Sequence, residues 1–423
     1  MQIVGMKAAE YYPRIGDRVL EKKLQISGAV LIEGAKWCGK TETALQAAGS
    51  VLFIQESPQH KEMAKMMPSL LLEGDTPRLI DEWQDAPEVW DAVRHAVDRR
   101  KQTGQFILTG SATPRDEVKS HSGIGRISRM LMRPMSLFES KESTGDVSLR
   151  ALFEGKQEIG NVSTLNIPQI ARIICRGGWP GAVTHPDAGG ALAIDYTELI
   201  VEEDINSVDG VERNPMRVRQ VLRSLARNIS TLTTATTILG DVRANDITIS
   251  DHTLESYLNA LRRIFVVEDV PAWSPSLRSR TTIRTSHKRQ LVDPSIATAI
   301  MRMDASRLLR DLETFGFLFE SLCTRDLRIY TQVNDGEIFH YRDKNDLEVD
   351  LIISLHDGRW APVEVKLGEH QIEEAAANLI KLKNKVDTSR IGEPSFMMVL
   401  TGGQYAYRRP DGICVVPLGC LRD

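Results

Sequence analysis

Short apolar runs alternate with segments whose apolar residues recur at helical spacing in the N-terminal third of the chain. Residues 29–32 are apolar and predict a buried strand, and residues 42–48 predict the start of a helix. Residues 78–82 and 105–111 predict two more buried strands, each of which ends in polar side chains. Between these two runs, helical spacing predicts a core-facing stripe formed by Val89, Trp90, Val93 and Val97. This part of the chain therefore alternates strands with helices.

The pattern in the middle of the chain is mostly helical. Residues 216–228 and 234–242 carry apolar side chains at helical spacing, and residues 249–253 offer N-cap side chains for a third helix. Residues 264–270 predict a strand. Three helices and a β-wing make a winged helix-turn-helix, whose third helix enters the major groove in DNA-binding versions. Here that helix offers few side chains suited to reading bases, so we favour a lid or packing module over DNA contact.

Alternating polar and apolar side chains mark two strands in the last quarter of the chain. Residues 347–353 and 360–367 have this alternation, and a helical pattern over residues 315–322 carries Glu320 among its polar positions. A period of two places charged side chains in pairs on one face of each strand: Glu348 with Asp350, and Glu364 with Lys366.

Residues 34–41 carry the first candidate chemistry. They form a complete G-x-x-x-x-G-K-[ST] phosphate loop between a predicted strand and a predicted helix. The glycines let backbone N–H groups turn toward an anion, Lys40 can reach the terminal phosphates, and Thr41 can hold Mg²⁺. We therefore predict a nucleoside triphosphate site that includes Gly34, Ala35, Lys36, Trp37, Cys38, Gly39, Lys40, Thr41 and Glu42.

Polar side chains that end the next two predicted strands extend this site. Asp81 is expected to face Mg²⁺ through water, and Glu82 is expected to polarise the attacking water. The strand over residues 105–111 ends in hydroxyls and is expected between the other two strands. Thr109 or Ser111 can therefore touch the γ-phosphate or the attacking water, and Thr109 is our choice.

An arginine downstream is expected to neutralise the charge that develops on the transferred phosphoryl group. Such an arginine acts within its own chain or from a neighbouring subunit. Arg126 is the first candidate and Arg129 is the second. The alternative for each is a surface arginine or a salt bridge.

The charged pairs near the C-terminal end suggest a second metal site. Asp350 and Glu364 can bind one or two Mg²⁺ or Mn²⁺ ions through oxygen, and Lys366 can orient the water that the metal activates. This Asp…Glu-x-Lys array resembles the PD-(D/E)xK nuclease fold, where a helical glutamate, here Glu320, often completes the metal shell. The Pro-Asp pair of that pattern is absent, because Val349 precedes Asp350. Phosphodiester cleavage stays open, since many such domains are degenerate or bind partners.

Composition and charge limit the class of protein. The 423 residues suffice for about three domains of roughly 150 residues each. The net charge is −4, so nucleic-acid contact would need a local basic patch such as that of residues 278–289. Five scattered cysteines without a C-x-x-C pair predict neither a zinc site nor a disulfide framework and favour a reducing cytoplasm. No apolar run approaches the ~18 residues of a membrane span.

Several motifs occur together over nearly the whole chain. Besides the phosphate loop they are Tyr-Pro-Arg, Leu-Ile-Asp-Glu-Trp-Gln, Phe-Ile-Leu-Thr-Gly-Ser, Arg-Pro-Met-Ser-Leu-Phe-Glu and Gly-Gly-Trp-Pro-Gly. In these motifs the chain resembles a family of prokaryotic AAA-type ATP-binding proteins that carry a nuclease-like C-terminal region. The resemblance implies ATP as the nucleotide and a parallel sheet flanked by helices. It also implies a central phosphate-loop strand and an extra strand that carries a hydroxyl sensor.

We therefore expect an α/β chain of three domains. They are an AAA-type P-loop ATPase in residues 1–145, a helical and winged-helix domain in 146–295, and a PD-(D/E)xK nuclease-like domain in 296–423. The expected function is Mg²⁺-dependent ATP binding and hydrolysis that controls the C-terminal domain, where a second Mg²⁺ or Mn²⁺ would bind. The expected partners are ATP, DNA, and another protein or a second copy of the chain, without a membrane. The alternative is a nucleotide-switched signalling or scaffold protein with an inactive nuclease-like domain that binds a partner.

Overall fold

A computed structural model describes residues 11–112, 123–186, 189–244, 246–275 and 286–423. The chain divides into two compact units. Of the described residues, the first unit takes 11–33, 39–110 and 123–131, and the second takes 34–38, 111–112 and those from residue 132 onward. The phosphate-loop sequence is thus divided between the two units. The domain boundaries expected at residues 145 and 295 stay predictions.

The described residues of the first unit form a five-stranded parallel sheet with helices. In chain order its main elements are α1 Ile15–Ile26, β1 Ala29–Glu33, α2 Lys40–Ala47, β2 Ser50–Phe53, α3 Pro58–Met66, β3 Arg78–Asp81, α4 Glu88–Arg100, β4 Phe106–Gly110 and β5 Ile127–Leu131. The strand order is β2-β3-β4-β1-β5. The expected parallel sheet and the expected strands at β1, β3 and β4 are therefore confirmed.

Strand β4 lies between β1 and β3, as the sequence predicted. In a parallel sheet the carboxyl ends of all strands lie at one edge, where ligands of α/β proteins bind. The polar ends of β3 and β4 and the residue before the phosphate loop therefore share that edge. The predicted stripe of α4 is buried in the core of this unit, together with β1, β3 and β4 side chains.

The first part of the second unit is mostly helical. Its described residues form β6 Val147–Ser148, α5 Leu149–Phe153, α6 Ile167–Arg176, α7 Pro180–Thr184, α8 Gly189–Leu199, a π-helical turn over Ile200–Asp204, α9 Ile205–Ser207, α10 Pro215–Arg227, α11 Ala235–Arg243, α12 Asp251–Arg263, α13 Pro294–Met301 and α14 Ala305–Leu308. The three helices predicted between residues 216 and 263 are confirmed as α10, α11 and α12. Each begins at a side-chain cap, supplied by Asn214, Thr234 and Ser250.

The strand predicted over residues 264–270 does not form, and the expected winged helix stays a prediction. Phe265 has a left-handed φ of 60°, and its N–H bonds the carbonyl of Arg262 at 3.0 Å. The chain therefore turns directly after α12 instead of extending. Only isolated bridges follow in this segment, between Val267 and Leu291 and between Val270 and Lys288.

The remainder of the second unit combines a long helix with a mixed sheet. Its elements are α15 Leu312–Val333, β7 Gly336–Arg342, β8 Glu348–Leu355, β9 Trp360–Lys366, α16 Ile372–Lys385, α17 Thr388–Ile391, β10 Met398–Thr401, β11 Tyr407–Arg408, β12 Cys414–Pro417 and β13 Leu421–Arg422. Six strands form a sheet in the order β11-β12-β10-β9-β8-β7, and β13 pairs with β6. The strands and the helix predicted in this region are confirmed as β8, β9 and part of α15.

A buried ion group connects α15 to distant parts of the second unit. The guanidinium of Arg325 lies 2.8 Å from the Asp293 carboxylate and 2.7 Å from that of Asp326. Asp293 also accepts the N–H of Gly178 at 3.0 Å, and Asp326 accepts the N–H of Leu137 at 2.9 Å. Because each charge here has an oppositely charged partner and further hydrogen bonds, these interactions offset part of the desolvation cost of burying the group.

None of the helices among the described residues combines the length and the apolar character that crossing a bilayer requires.

Candidate functional site

Three side chains from separate elements of the first unit meet at the carboxyl edge of its sheet. Asp81, at the end of β3, accepts hydrogen bonds at Oδ1 from the hydroxyls of Thr41 at 2.7 Å and of Thr109 at 2.6 Å. Thr109 in turn accepts the backbone N–H of Glu82 at 3.2 Å. The helix after the phosphate loop, the acidic strand and the hydroxyl strand therefore converge on one carboxylate oxygen.

The donors at this point suit a hard cation beside a phosphate. Thr41 and Asp81 offer a hydroxyl and a carboxylate, the protein ligands that phosphate-loop enzymes use for Mg²⁺. Lys40 is the first residue of α2 and is buried, and Gly39 before it has a φ of 99°, which favours glycine. The residues present thus fit Mg²⁺ and a phosphate. Glu42 is exposed in the first turn of α2, and its place at the nucleotide stays a prediction.

Glu82 combines an uncommon backbone conformation with a held carboxylate. Its φ of 54° and ψ of 51° lie in the left-handed region, which non-glycine residues rarely adopt. Its carboxylate accepts a hydrogen bond from the side-chain amide of Gln84. Such conformations persist only where the surrounding structure holds them in place, and they cluster at active sites. The arrangement is compatible with Glu82 polarising a water, and that role stays a prediction.

Arg126 lies at the edge of the sheet opposite the phosphate loop. Its carbonyl accepts the N–H of Ala29, the first residue of β1, and its guanidinium pairs with Asp98 at 2.9 Å. The length of β1, roughly 13 Å at 3.3 Å per residue, separates that edge from the loop. This position does not favour action of Arg126 on phosphate within its own chain, and its role stays a prediction. Action on a neighbouring subunit stays a prediction.

Arg129, the second candidate, is nearer to the phosphate loop. It pairs with Leu31 in the parallel register of β5 and β1. Its guanidinium lies 3.5 Å from the carboxylate of Glu33, the residue just before the loop, and 5.9 Å from the ring centre of Trp90. The guanidinium of Arg129, held next to the residue before the loop, is better placed to meet phosphate charge than that of Arg126 at the far edge of the sheet.

The first half of the phosphate loop is held by side chains that sequence analysis did not identify. In the second unit, Lys36 Nζ lies 2.5 Å from Oδ1 of Asp204, in the π-helical turn after α8. The Trp37 ring packs 5.4 Å from that of Tyr196, which packs 4.4 Å from that of Trp179. Burial raises the pKa of Tyr196 well above its ordinary value, so this ring stays neutral. Helical periodicity cannot reveal a π-helical turn, which often marks a functional site.

Two small residues of the same half-loop pack against backbone. A Cβ added to Gly34 would lie 2.1 Å from the carbonyl oxygen of Met132, and Gly34 has a φ of 153°. The buried Sγ of Cys38 lies 3.5 Å from that same oxygen. Ala35 is buried as well. These positions require small side chains, which accounts for a cysteine in the loop.

The predicted nuclease-type side chains do come together in the second unit. Asp350 of β8 accepts the backbone N–H of Val365 at 2.9 Å and lies 3.3 Å from Lys366 Nζ. Lys366 Nζ also lies 2.7 Å from Oε2 of Glu364, a buried side chain of β9. The pairing of Glu364 with Lys366 that was predicted from the period of two is therefore present in β9.

Lys288 is buried in the same cluster, although sequence analysis assigned it to an exposed basic patch. Its Nζ lies 2.8 Å from Oε1 of Glu320, and 3.5 Å from both Oδ1 of Asp350 and Oε1 of Glu348. Among the residues that the structure describes, no group of three or more His, Cys, Asp or Glu side chains could hold a metal ion. The predicted metal site of Glu320, Asp350 and Glu364 is therefore not supported, because an ammonium lies between the carboxylates.

The charges of this cluster shift one another's pKa values. Burial, reinforced by the neighbouring Asp350 carboxylate, raises the pKa of Glu364 well above its ordinary value. Burial also acts on Asp350, but Lys288 and Lys366 outweigh it and lower the pKa of Asp350 to about 2. For Glu320, burial outweighs the attraction of Lys288 and raises the pKa to about 7. At neutral pH, Asp350 is therefore charged.

The described part of the expected basic patch does not offer free cations. Lys288 is buried as above, and Arg289 pairs with Asp269 at 2.7 Å. The other members lie outside the described residues: Arg278, Arg280 and Arg284. On the third helix, Arg262 is within 3.3 Å of both Glu255 and Asp269. These residues of the expected patch and of the third helix therefore do not support the expected DNA contact.

Three family models match consecutive parts of the chain. Residues 27–141 match an AAA domain. This part of the chain is a P-loop ATPase domain of the AAA type. Residues 167–307 and 315–421 match two domains of unknown function, DUF8612 and DUF4143. Neither description bears on the nuclease-like fold expected for residues 296–423, which stays a proposal.

Two curated relatives are similar over most of the chain. They are uncharacterized proteins of Mycobacterium tuberculosis and Mycobacterium bovis, each 24% identical over 355 residues, which cover 82% of this chain and 72% of the relative. Among solved structures, a Walker-type ATPase of Pyrococcus abyssi is similar with 15% identity and a TM-score of 0.44. That likeness covers 69% of this chain and 96% of the archaeal one.

Proposed function

We propose that the AAA-type domain hydrolyses Mg²⁺-ATP and that its nucleotide state controls the C-terminal domain. The observation that carries the hydrolysis is the convergence of Thr41 and Thr109 on Asp81, with Glu82 directly beside it. A site for binding alone would need the loop and a cation ligand. The added hydroxyl strand and the adjacent second carboxylate are what a hydrolytic site requires.

Each side chain has a distinct part in this proposal. Lys40 and the N–H groups at the start of α2 bind the phosphates, and Thr41 and Asp81 would hold Mg²⁺. When bound, Mg²⁺ supplies charge that neutralises the phosphate oxygens. Glu82 accepts a hydrogen bond from the attacking water and aligns it with the γ-phosphate. Thr109 fixes the Asp81 carboxylate relative to the Glu82 backbone.

Control by nucleotide would begin in the first half of the phosphate loop. Lys36 and Trp37 contact Asp204 and Tyr196 within the second unit. A phosphate that binds the loop fixes its backbone, and the contacts of these two side chains then favour one arrangement of the π-helical turn. In this proposal, these contacts are the route by which bound ATP changes the helices after α8.

Two outputs are compatible with such control. One is a nuclease-like domain that acts on nucleic acid, and the other is an inactive domain that binds a partner in a signalling or scaffold assembly. The second is favoured by the ammonium of Lys288 within the carboxylate cluster, because a nuclease of this type needs those oxygens for metal.

Lys40→Ala and Glu82→Gln test the proposal in the full-length chain. Lys40→Ala should weaken ATP binding and abolish turnover, whereas Glu82→Gln should keep ATP binding and lose turnover by about 100-fold or more. ATP affinity and phosphate release are measured for each variant. Lys61→Ala is the control, since this half-exposed lysine pairs with Asp85 instead. Turnover that survives Lys40→Ala would refute the proposal.

A cleavage assay decides between the two outputs. Linear, branched and single-stranded nucleic acids are incubated with the protein, ATP, and Mg²⁺ or Mn²⁺, and Asp350→Ala is run in parallel. Cleavage that disappears in Asp350→Ala supports the nuclease, and absence of cleavage in the wild type supports the partner-binding output.

A further inference from the structure

We propose that the ε-ammonium of Lys288 takes the place of a divalent cation in the C-terminal carboxylate cluster. The cluster consists of Glu320, Glu348, Asp350 and Glu364, with Lys288 and Lys366 between them. In this proposal it is a metal-free ionic core that joins α15 to β8 and β9. The inference does not depend on ATP hydrolysis by the N-terminal domain.

The backbone holds Lys288 in this position. Its N–H and its carbonyl each bond Val270 at 2.9 Å, and the N–H of the next residue bonds the Thr231 carbonyl at 2.8 Å. The Lys288 side chain is only 1% exposed. It therefore projects from an anchored bridge into the cluster, where it is enclosed on all sides. A surface lysine that folded back onto acidic neighbours would lack both features.

The contacts of Lys288 are those expected of a resident cation. Its Nζ contacts Glu320 from α15 and both Glu348 and Asp350 from β8, at 2.8 to 3.5 Å. Its three N–H donors are accounted for by Oε1 of Glu320 at 2.8 Å and by the carbonyl oxygen and Oδ1 of Asp350 at 3.4 and 3.5 Å, and Glu348 is an ion-pair contact at 3.5 Å. One positive charge thus joins carboxylates of two elements that lie far apart in sequence, as a metal ion would.

The second lysine extends these contacts to Glu364. Lys366 contacts Glu364 and Asp350, so each of the four carboxylates has an ammonium partner within 3.5 Å. Mg²⁺ demands oxygens at about 2.0–2.1 Å in near-octahedral geometry. A divalent ion would therefore have to displace Lys288 and would meet strong repulsion from it in a buried site.

Lys288→Met tests this directly, because it removes the charge and keeps most of the apolar stem. The probe is Mn²⁺ added without nucleotide to the full-length chain carrying Thr41→Ala, which weakens the phosphate-loop cation site. Bound Mn²⁺ is counted by its electron paramagnetic resonance signal, and Tm is measured with and without the metal. The matched control is Lys385→Met, which removes another ammonium bound to a carboxylate, that of Asp343.

The protein with Lys288 intact should bind no Mn²⁺ that depends on Asp350. Lys288→Met should gain about one Mn²⁺ and a metal-dependent rise in Tm of roughly 2 °C or more. Adding Asp350→Asn should abolish that gain, and Lys385→Met should show none. A folded Lys288→Met that gains no Mn²⁺ overturns the proposal.

The protein with Lys288 intact supplies a second test if Lys288→Met does not fold. Mn²⁺ binding that Asp350→Asn abolishes would overturn the proposal, because the cluster would then accept a metal beside the lysine. Absence of such binding at millimolar Mn²⁺ supports it.

Discussion

Asp81 is the side chain on which the candidate ATP site depends. Its Oδ1 accepts two hydroxyl hydrogen bonds, one from Thr41 of α2 and one from Thr109 of β4. The hydroxyl of Thr109 also accepts the N–H of Glu82, whose left-handed φ needs support from its neighbours. Thr109 is therefore a positioning residue for both carboxylates, in addition to any contact with the γ-phosphate.

Thr109→Val should lower kcat for ATP by roughly tenfold or more and change KM little. The substitution keeps the side-chain shape and removes the hydrogen bonds, so Asp81 and Glu82 lose their common anchor while Lys40 and Thr41 still bind nucleotide. Steady-state phosphate release gives both constants. Thr43→Val is the matched control, because this buried hydroxyl bonds Tyr11 at 3.0 Å instead. A Thr109→Val enzyme with normal kcat would show that the hydroxyl has no positioning role.

At the scale of elements, the loop between α6 and α7 contains a close backbone approach. A Cβ on Gly178 would lie 2.2 Å from the carbonyl oxygen of Met135, whereas one on Gly181 would meet nothing nearer than 3.7 Å. The Gly178 carbonyl also accepts the Met135 N–H at 2.6 Å, and its own N–H bonds Asp293. The two glycines of one short motif thus face opposite steric demands.

Gly178→Ala should destabilise the second unit by about 1–3 kcal/mol, because the added methyl forces this backbone contact apart. Gly181→Ala should stay within about 1 kcal/mol of the wild type, since that position in α7 has room and alanine favours helix. Thermal and denaturant unfolding of both variants measure the difference. Equal stability of the two variants would mean that the loop can relax away from Met135.

Sequence patterns identified the elements that depend on a short local motif or on regularly spaced apolar residues. The phosphate loop, the strands β1, β3, β4, β8 and β9 and the helices α10 to α12 follow from apolar spacing and caps. The position of Arg126 does not, because it depends on the register in which β5 joins β1. The burial of Lys288 is equally nonlocal: its bridge to Val270 and its contact with Glu320 bring together distant segments, whereas its sequence neighbours are basic and polar.

At the scale of the whole chain, charge is handled differently at the two candidate sites. At the carboxyl edge of the first sheet, Oδ1 of Asp81 accepts hydrogen bonds from the hydroxyls of Thr41 and Thr109. In the C-terminal cluster, two lysines already occupy the carboxylates. The first arrangement can accept a cation together with the phosphate of a nucleotide. In the second, each carboxylate already contacts a lysine of the same cluster. In the proposed function, ATP is the ligand whose binding would change the state of the molecule.

That change should be visible at the π-helical turn and should require Asp204. In Glu82→Gln protein, which should hold ATP without turnover, ATP should lower amide hydrogen exchange in the segment from Tyr196 to Asp204. Bound phosphate fixes the loop, and Lys36 transmits this through its 2.5 Å contact with Asp204. Adding Asp204→Asn should leave ATP affinity within about threefold, since Asp204 is not one of the predicted nucleotide-binding residues, but should remove the protection. Asp85→Asn is the control, because it breaks a different lysine–aspartate pair of 2.9 Å, that with Lys61. Protection that persists in Asp204→Asn would exclude this contact as the route, and protection absent from both proteins would exclude the segment itself.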